Sequence, residues 1–145
     1  MSQGTIEKIE RHALVVDDET WVRSFIREVL EVEGFDVLEA ANGETAAKLL
    51  HETPSLSLIV TDILMPQRDG VELIREIKSH ASGRQSRPKI LAISGGGIFA
   101  KPEPFLSIAH SLGADMTLAK PFSDSNLREA LRLLGFSPGR AVIGG

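Results

Sequence analysis

The chain has 145 residues, of which 42% are hydrophobic and 25% are charged, and these proportions are ordinary for one globular domain. Its formal net charge of −4 argues against nucleic acid as the main partner, and the absence of cysteine excludes disulfides and cysteine-ligated metals. No apolar run approaches the roughly 18 residues of a membrane-spanning helix, and the polar start lacks the core of a signal peptide, so we expect a cytoplasmic protein.

Strand-like and helix-like segments alternate five times along the chain. Short runs with apolar residues predict strands at about 12–16, 36–40, 58–61, 89–93 and 115–118. The first helix carries an apolar stripe with helical spacing and ends at Gly34, and the second begins after Asn42 as its cap. Further helices are predicted from Asp69 or Gly70, after Pro104, and from Ser123 as a cap.

Five strand–helix units predict an α/β fold with a doubly wound, five-stranded parallel sheet. The strand order 2-1-3-4-5, that of a flavodoxin-like (βα)5 fold, suits five strands. We expect the domain to cover residues 11–134, after a short N-terminal extension at 1–10. Residues 135–145 are rich in glycine and are predicted to form a flexible tail.

Three acidic residues follow or end two of the predicted strands. Asp17 and Asp18 come directly after the first strand, and Asp62 comes directly after the third. The predicted strand order makes these strands neighbours, so the three carboxylates should share the carboxyl edge of the sheet. Two such charges about 4 Å apart repel by roughly 4 kcal/mol at an effective dielectric of about 20. A bound cation would relieve this repulsion, and oxygen ligands of this kind suit Mg²⁺.

Two more polar residues follow strands at the same edge: Ser94 after the fourth strand and Lys120 after the fifth. With the acidic residues they form a set that resembles the receiver domain of response regulators in two-component signalling. The resemblance covers residues 11–134. It is carried by the runs Leu14-Val15-Val16-Asp17-Asp18, Asp62-Ile63-Leu64-Met65-Pro66, Asp69-Gly70, Ser94-Gly95, Gly113-Ala114-Asp115 and Lys120-Pro121-Phe122.

The resemblance implies a phosphorylation site. Asp62 would accept a phosphoryl group from a histidine kinase or a histidine phosphotransfer protein, and carboxylates are established nucleophiles of this kind. Asp18 would bind Mg²⁺ directly, and Asp17 would do so directly or through water. The backbone carbonyl of Leu64 would be a further metal ligand. The chain would not be an enzyme acting on other substrates, because only its own phosphorylation and dephosphorylation are implied.

The resemblance also implies roles at the end of the chain. Lys120 would pair with Asp62 and then with the phosphoryl group, Ser94 would donate its hydroxyl to a phosphoryl oxygen, and the Lys120–Pro121 bond would be cis. A conformational switch would then signal to a downstream protein target, with no direct contact to nucleic acid or membrane. A homodimer stays open. Thr117 departs from the family, which usually places a switch aromatic three residues before the lysine.

Two alternatives stay open. A phosphatase of the haloacid-dehalogenase type also combines such acids with a hydroxyl, a lysine and Mg²⁺. It needs a nucleophile and an acid two positions apart, however, whereas Asp17 and Asp18 are adjacent. The second alternative is a receiver fold that no longer accepts phosphate and serves as a scaffold. Taken singly, each site residue also has a structural interpretation, such as an acidic pair favoured at a helix N-terminus for Asp17 and Asp18.

Overall fold

Strands and helices alternate as predicted in the described residues up to residue 94. The structure is a computed structural model that describes residues 11–63, 70–80, 87–94 and 113–137. Within these residues the elements are β1 Arg11–Val16, α1 Thr20–Val32, β2 Phe35–Ala40, α2 Gly43–Glu52, β3 Leu56–Asp62, α3 Gly70–His80, β4 Lys89–Ser94, β5 Met116–Ala119 and α4 Asp124–Leu133. The helix predicted after Pro104 lies outside the described residues.

The strands form one parallel sheet in the order β2-β1-β3-β4-β5, which confirms the predicted topology. The register pairs Val16 at the end of β1 with Thr61 in β3. It pairs Asp62 with Ile93 in β4. The carboxyl ends of the central strands therefore lie side by side.

Both faces of the sheet are covered, which explains why the strand sequences are apolar at nearly every position. Successive strand residues alternate between two apolar clusters. On one face Leu14 and Ile59 pack with residues of α2 and α3. On the other face Val15 and Val60 pack with residues of α1 and α4. This doubly wound arrangement leaves the ends of the strands free to carry polar groups.

Side chains and glycines define the helix ends where the sequence predicts them. Asn42 caps α2 by accepting a hydrogen bond from the Thr45 amide at 2.9 Å. Ser123 caps α4 by accepting from the Asn126 amide, and the Asn126 side chain accepts from the Ser123 amide, which completes a capping box. Gly34 follows α1 with a φ of 94°, a left-handed conformation that favours glycine. The caps thus fix where α2 and α4 begin.

The residues after α4 pack against the start of β1. The Arg11 guanidinium donates to the Ser137 carbonyl at 2.7 Å and to the Glu33 carbonyl at 3.3 Å. It also lies about equally far, 5.5 and 5.6 Å, from the ring centres of Phe35 and Phe136. Residues 135–137, which the sequence predicts as the start of the flexible tail, therefore belong to the packed part of the chain. Residues 138–145 and the extension at 1–10 lie outside the described residues.

An ion pair joins the segment before β4 to the segment before β5. Asp115 accepts two hydrogen bonds from Arg87, at 2.8 and 2.9 Å, and one from the Ile90 amide at 2.7 Å. Burial alone would raise the pKa of Asp115, but the bonds from Arg87 and Ile90 outweigh it and hold that pKa below its ordinary value. The charged carboxylate therefore stabilises the fold.

We expect Asp115→Asn to lower the free energy of unfolding by about 2 kcal/mol near neutral pH, because charge-assisted bonds to Arg87 and Ile90 are lost. The folded pKa is depressed, so this contribution is complete above the unfolded pKa of about 3.9 and disappears as pH falls through the folded pKa. Urea unfolding of wild type and variant between neutral and acidic pH measures the difference. The exposed Asp36→Asn is the control, and a gap that stays constant with pH would contradict the expectation.

Candidate functional site

Three carboxylates meet at the carboxyl edge of the sheet, as the sequence predicts. Asp17 and Asp18 follow β1, and Asp62 is the last residue of β3. One oxygen of each lies within 4.8 Å of the others. Asp17 is fully buried and Asp62 is 7% exposed, whereas Asp18 faces solvent. These residues form the acidic cluster.

Lys120 supplies the positive charge of the site. Its ammonium nitrogen lies 3.0 Å from Asp17 Oδ2, 3.1 Å from Asp62 Oδ2 and 3.6 Å from Glu19 Oε1. Burial alone would lower the pKa of Lys120, but the contact with Asp17 and the charges of Asp62 and Asp17 outweigh it and raise that pKa. The lysine is thus held charged and forms ion pairs with both Asp17 and Asp62.

Backbone and side-chain bonds fix Asp17 from several sides. Its amide donates to the Ala40 carbonyl of β2 at 3.1 Å, and its Oδ1 accepts from the Glu19 amide at 2.9 Å. Its own carbonyl accepts from the Arg23 guanidinium at 2.7 Å. Asp17 Oδ2 is buried and has the Lys120 ammonium at ion-pair distance, yet it accepts no aligned hydrogen bond from the described residues. One oxygen of a fully buried carboxylate is therefore incompletely satisfied.

Ser94 brings a second unsatisfied group to the site. It is the last residue of β4, and its carbonyl accepts from the Lys120 amide at 2.9 Å. Its hydroxyl is completely buried and has no hydrogen-bond partner in the described part of the chain. Leaving such a group unpaired costs about 1–3 kcal/mol, so a hydroxyl kept in this state is suited to meet a ligand. The Lys120–Pro121 peptide bond beside it is cis, as predicted.

The acidic cluster fits a small, hard cation. Mg²⁺–oxygen bonds are about 2.1 Å long, so two ligands on opposite sides of the ion lie roughly 4 Å apart. Because the three carboxylate oxygens all lie within 4.8 Å of one another, small side-chain movements or one contact through water would let them share a single ion. The incompletely satisfied Asp17 Oδ2 agrees with such an occupant. Leu64, whose carbonyl is the fourth predicted ligand, lies outside the described residues.

Two residues at the site have contacts that the sequence analysis missed. The sequence predicts no role for Arg23, because a bond from a side chain to a backbone carbonyl leaves no periodic signal. The sequence predicts Gly70 at a helix start but not its contact with the strand, where the Gly70 amide donates to the Ile63 carbonyl at 2.7 Å. A Cβ atom at Gly70 would lie 2.1 Å from the Asp62 carbonyl oxygen, so the start of α3 rests directly on the backbone of the site.

The family of this chain follows from comparison with known proteins. The family model of the response regulator receiver domain matches residues 13–132. The chain belongs to that family. Among solved receivers, the response regulator receiver domain protein from Clostridium thermocellum is 27% identical with a TM-score of 0.73, covering 85% of this chain and 92% of that one. The signal receiver domain from Bermanella marisrubri is 30% identical with a TM-score of 0.72, covering 87% and 98%.

Curated relatives of this receiver include transcriptional regulatory proteins. CpxR of Klebsiella pneumoniae is 32% identical over 121 residues, which cover 83% of this chain and 47% of CpxR. SrrA of Staphylococcus aureus is 33% identical over 110 residues, which cover 76% of this chain and 42% of SrrA. The receiver thus spans about half the length of these relatives. None of its described helices is long and apolar enough to cross a membrane.

Proposed function

We propose that this receiver accepts a phosphoryl group on Asp62 from a histidine kinase or a histidine phosphotransfer protein, with Mg²⁺, and passes the signal to a protein partner. One observation carries the proposal: the Asp62 carboxylate lies 3.1 Å from the Lys120 ammonium inside a cluster of three acids. This arrangement supplies a nucleophile, a cation that holds it, and oxygen ligands for a metal.

Asp62 is the member of the acidic cluster best placed to react. Asp17 is fully buried, and its two oxygens face the Glu19 amide and Lys120. Asp18 is exposed, so it can bind a cation, but it makes no ion pair with a positive group among the described residues. Asp62 combines slight exposure with the lysine contact. An Asp62 oxygen would attack the phosphorus of a phosphohistidine, the P–N bond would break with its electron pair going to the imidazole, and an acyl phosphate would form.

The remaining residues would stabilise the transferred group. Lys120 would follow the negative charge from the Asp62 carboxylate to a phosphoryl oxygen, as a point charge on a flexible stem. The unpaired Ser94 hydroxyl would donate to another phosphoryl oxygen. Asp18 and Asp62 would hold Mg²⁺, with Asp17 binding directly or through water. When bound there, the metal would offset charge on the carboxylates and the incoming phosphoryl oxygens.

The test is the intact mass of the protein after incubation with Mg²⁺ and a small phosphodonor such as acetyl phosphate. We expect one added phosphoryl group in wild type and in the exposed control Asp36→Asn, and none in Asp62→Asn or without Mg²⁺. An adduct that survives Asp62→Asn would refute the assignment of the nucleophile. A wild-type protein that gains no phosphoryl group under any donor would favour the scaffold alternative.

The proposal includes what happens after phosphorylation. Ser94 can meet a phosphoryl oxygen only in one arrangement of its strand end, so phosphorylation would favour that arrangement and pass it to a protein target. The chain would act on itself alone, with no catalysis on outside substrates. The curated relatives are transcriptional regulators, but any contact of this chain with nucleic acid would run through that target. A cytoplasmic location stays a prediction, and a homodimer stays open.

A further inference from the structure

Arg23 reaches back from α1 to the loop that carries two members of the acidic cluster. Its guanidinium donates to the Asp17 carbonyl at 2.7 Å, and its side chain is only 15% exposed. That carbonyl belongs to the peptide unit that joins Asp17 to Asp18. The orientation of this peptide decides how the two carboxylates are placed relative to each other, because one residue lies on each side of it.

Arg23 is itself held by an acidic residue of the neighbouring strand. Its Nε donates to Glu39 Oε1 at 3.0 Å, and Arg27 donates to the other oxygen of Glu39 at 2.7 Å. Glu39 lies opposite Val15 in the sheet, close to the end of β1. The hydrogen bond from Arg27, followed by that from Arg23, overcomes burial and lowers the pKa of Glu39, which therefore stays charged. The guanidinium is thus fixed at one end while it donates at the other.

Asp18 depends on this support more than Asp17 does. The Asp17 side chain has its own contacts with the Glu19 amide and with Lys120. The Asp18 side chain is exposed and makes no hydrogen bond or ion pair with the described residues. Among the described residues its direction is set by the backbone, and the Arg23 side chain holds the peptide preceding it.

We propose that Arg23 is a positioning residue for the metal site: by holding the peptide between Asp17 and Asp18, it directs the Asp18 carboxylate toward the bound cation. The inference rests on the proposed Mg²⁺ site. Through the Arg23–Glu39 pair, α1 and β2 would influence metal affinity, although neither element carries a predicted metal ligand. Groups that orient metal ligands typically change affinity by 10- to 100-fold when they are removed.

The sign of the effect separates positioning from simple electrostatics. A positive charge near three carboxylates competes with a cation, so a purely electrostatic Arg23 would weaken Mg²⁺ binding, and its removal would strengthen it. A positioning Arg23 has the opposite signature, because its removal lets the peptide turn and moves Asp18 away. The two explanations therefore predict affinity changes in opposite directions.

The experiment is a Mg²⁺ titration of the full chain, with the fluorescence of Trp21 as the signal and calorimetry as a second method. Trp21 is the single tryptophan and is 70% exposed. We expect Arg23→Met to weaken binding by about tenfold or more. Arg27→Met is the matched control, because it removes a bond to the same Glu39 but none to Asp17, and we expect it to stay within about twofold of wild type. Arg23→Lys keeps the charge and should still bind several-fold more weakly, because an ammonium lacks the fork that spans both partners.

A second readout needs no metal. The backbone amide of Asp18 belongs to the peptide that Arg23 holds, so its NMR shift without Mg²⁺ should change more in Arg23→Met than in Arg27→Met. Unchanged or tighter Mg²⁺ binding by Arg23→Met, with wild type binding normally, would overturn the inference alone. A wild-type protein that binds no Mg²⁺ would overturn the metal site and the inference together. Equal affinity losses in Arg23→Met and Arg27→Met would also overturn it, because general destabilisation would then explain both.

Discussion

Gly70→Ala is expected to lower the free energy of unfolding by about 3 kcal/mol, the upper part of the usual range for overpacking. A Cβ atom at this position would lie 2.1 Å from the Asp62 carbonyl oxygen and 2.7 Å from Ile63 Cα. Both atoms belong to the backbone, so no side-chain rotation can relieve the clash. Either α3 or the end of β3 must move, and the better helix propensity of alanine, worth at most about 1 kcal/mol, offsets only part of the cost.

Urea unfolding of wild type, Gly70→Ala and Gly135→Ala measures this effect. Gly135 has a φ of 101° but open space where a Cβ would be, so its substitution isolates backbone strain from collision. We expect Gly135→Ala to cost about 1 kcal/mol. If Gly70→Ala costs no more than Gly135→Ala, the close approach of α3 to the Asp62 backbone is not as the structure shows. Because the clash is with Asp62 itself, phosphorylation of Gly70→Ala should also be slower than that of wild type.

Lys120→Met is expected to lower the free energy of unfolding without Mg²⁺ by about 2 kcal/mol. Removing one partner from a buried ion pair costs about 3–5 kcal/mol, and the 18% exposure of the lysine side chain argues for a smaller value. The variant leaves Asp17 and Asp62 facing each other without their shared cation. The acidic cluster should then bind Mg²⁺ more tightly than in wild type, so added Mg²⁺ should restore much of the lost stability.

The pH dependence of the same variant gives a second check. The pKa of Lys120 is raised in the folded protein. Its contribution is therefore complete below the unfolded pKa of about 10.4 and is lost as pH rises through the folded pKa. The stability gap between wild type and Lys120→Met should hold at neutral pH and narrow only in strong alkali. Lys120→Arg, which keeps a charge, is the control, and equal stability of Lys120→Met and wild type without Mg²⁺ would contradict the role given to the lysine.

The position of the site was predictable because it follows from topology. Apolar runs identify parallel strands, polar residues directly after them lie at one edge, and the strand order 2-1-3-4-5 makes the first and third strands neighbours. The topology thus predicts that Asp62 and Lys120, which are 58 residues apart in sequence, lie at the same edge of the sheet. In the structure Lys120 Nζ lies 3.1 Å from Asp62 Oδ2. The sequence also predicts the caps at Asn42 and Ser123, which depend only on local side-chain chemistry.

The supporting contacts were not predictable in the same way. The bond from Arg23 to the Asp17 carbonyl depends on the angle between α1 and the loop before it, and no residue pattern encodes that angle. Gly70 looks like any glycine at a helix start, and its contact with Asp62 emerges only when α3 is placed against the sheet. Arg11 would be expected at the surface, yet two phenylalanine rings and two carbonyls hold it buried.

Arg11 and the acidic cluster lie at opposite ends of strand β1. Arg11 begins β1 and binds the Ser137 carbonyl, whereas Asp17 follows the other end of the same strand. The six residues of β1 span roughly 17 Å at about 3.3 Å per residue. Ser137 therefore lies at the end of the sheet opposite the acidic cluster. A structural change at the acidic cluster would therefore reach the Arg11–Ser137 contact through the strands and helices packed between them.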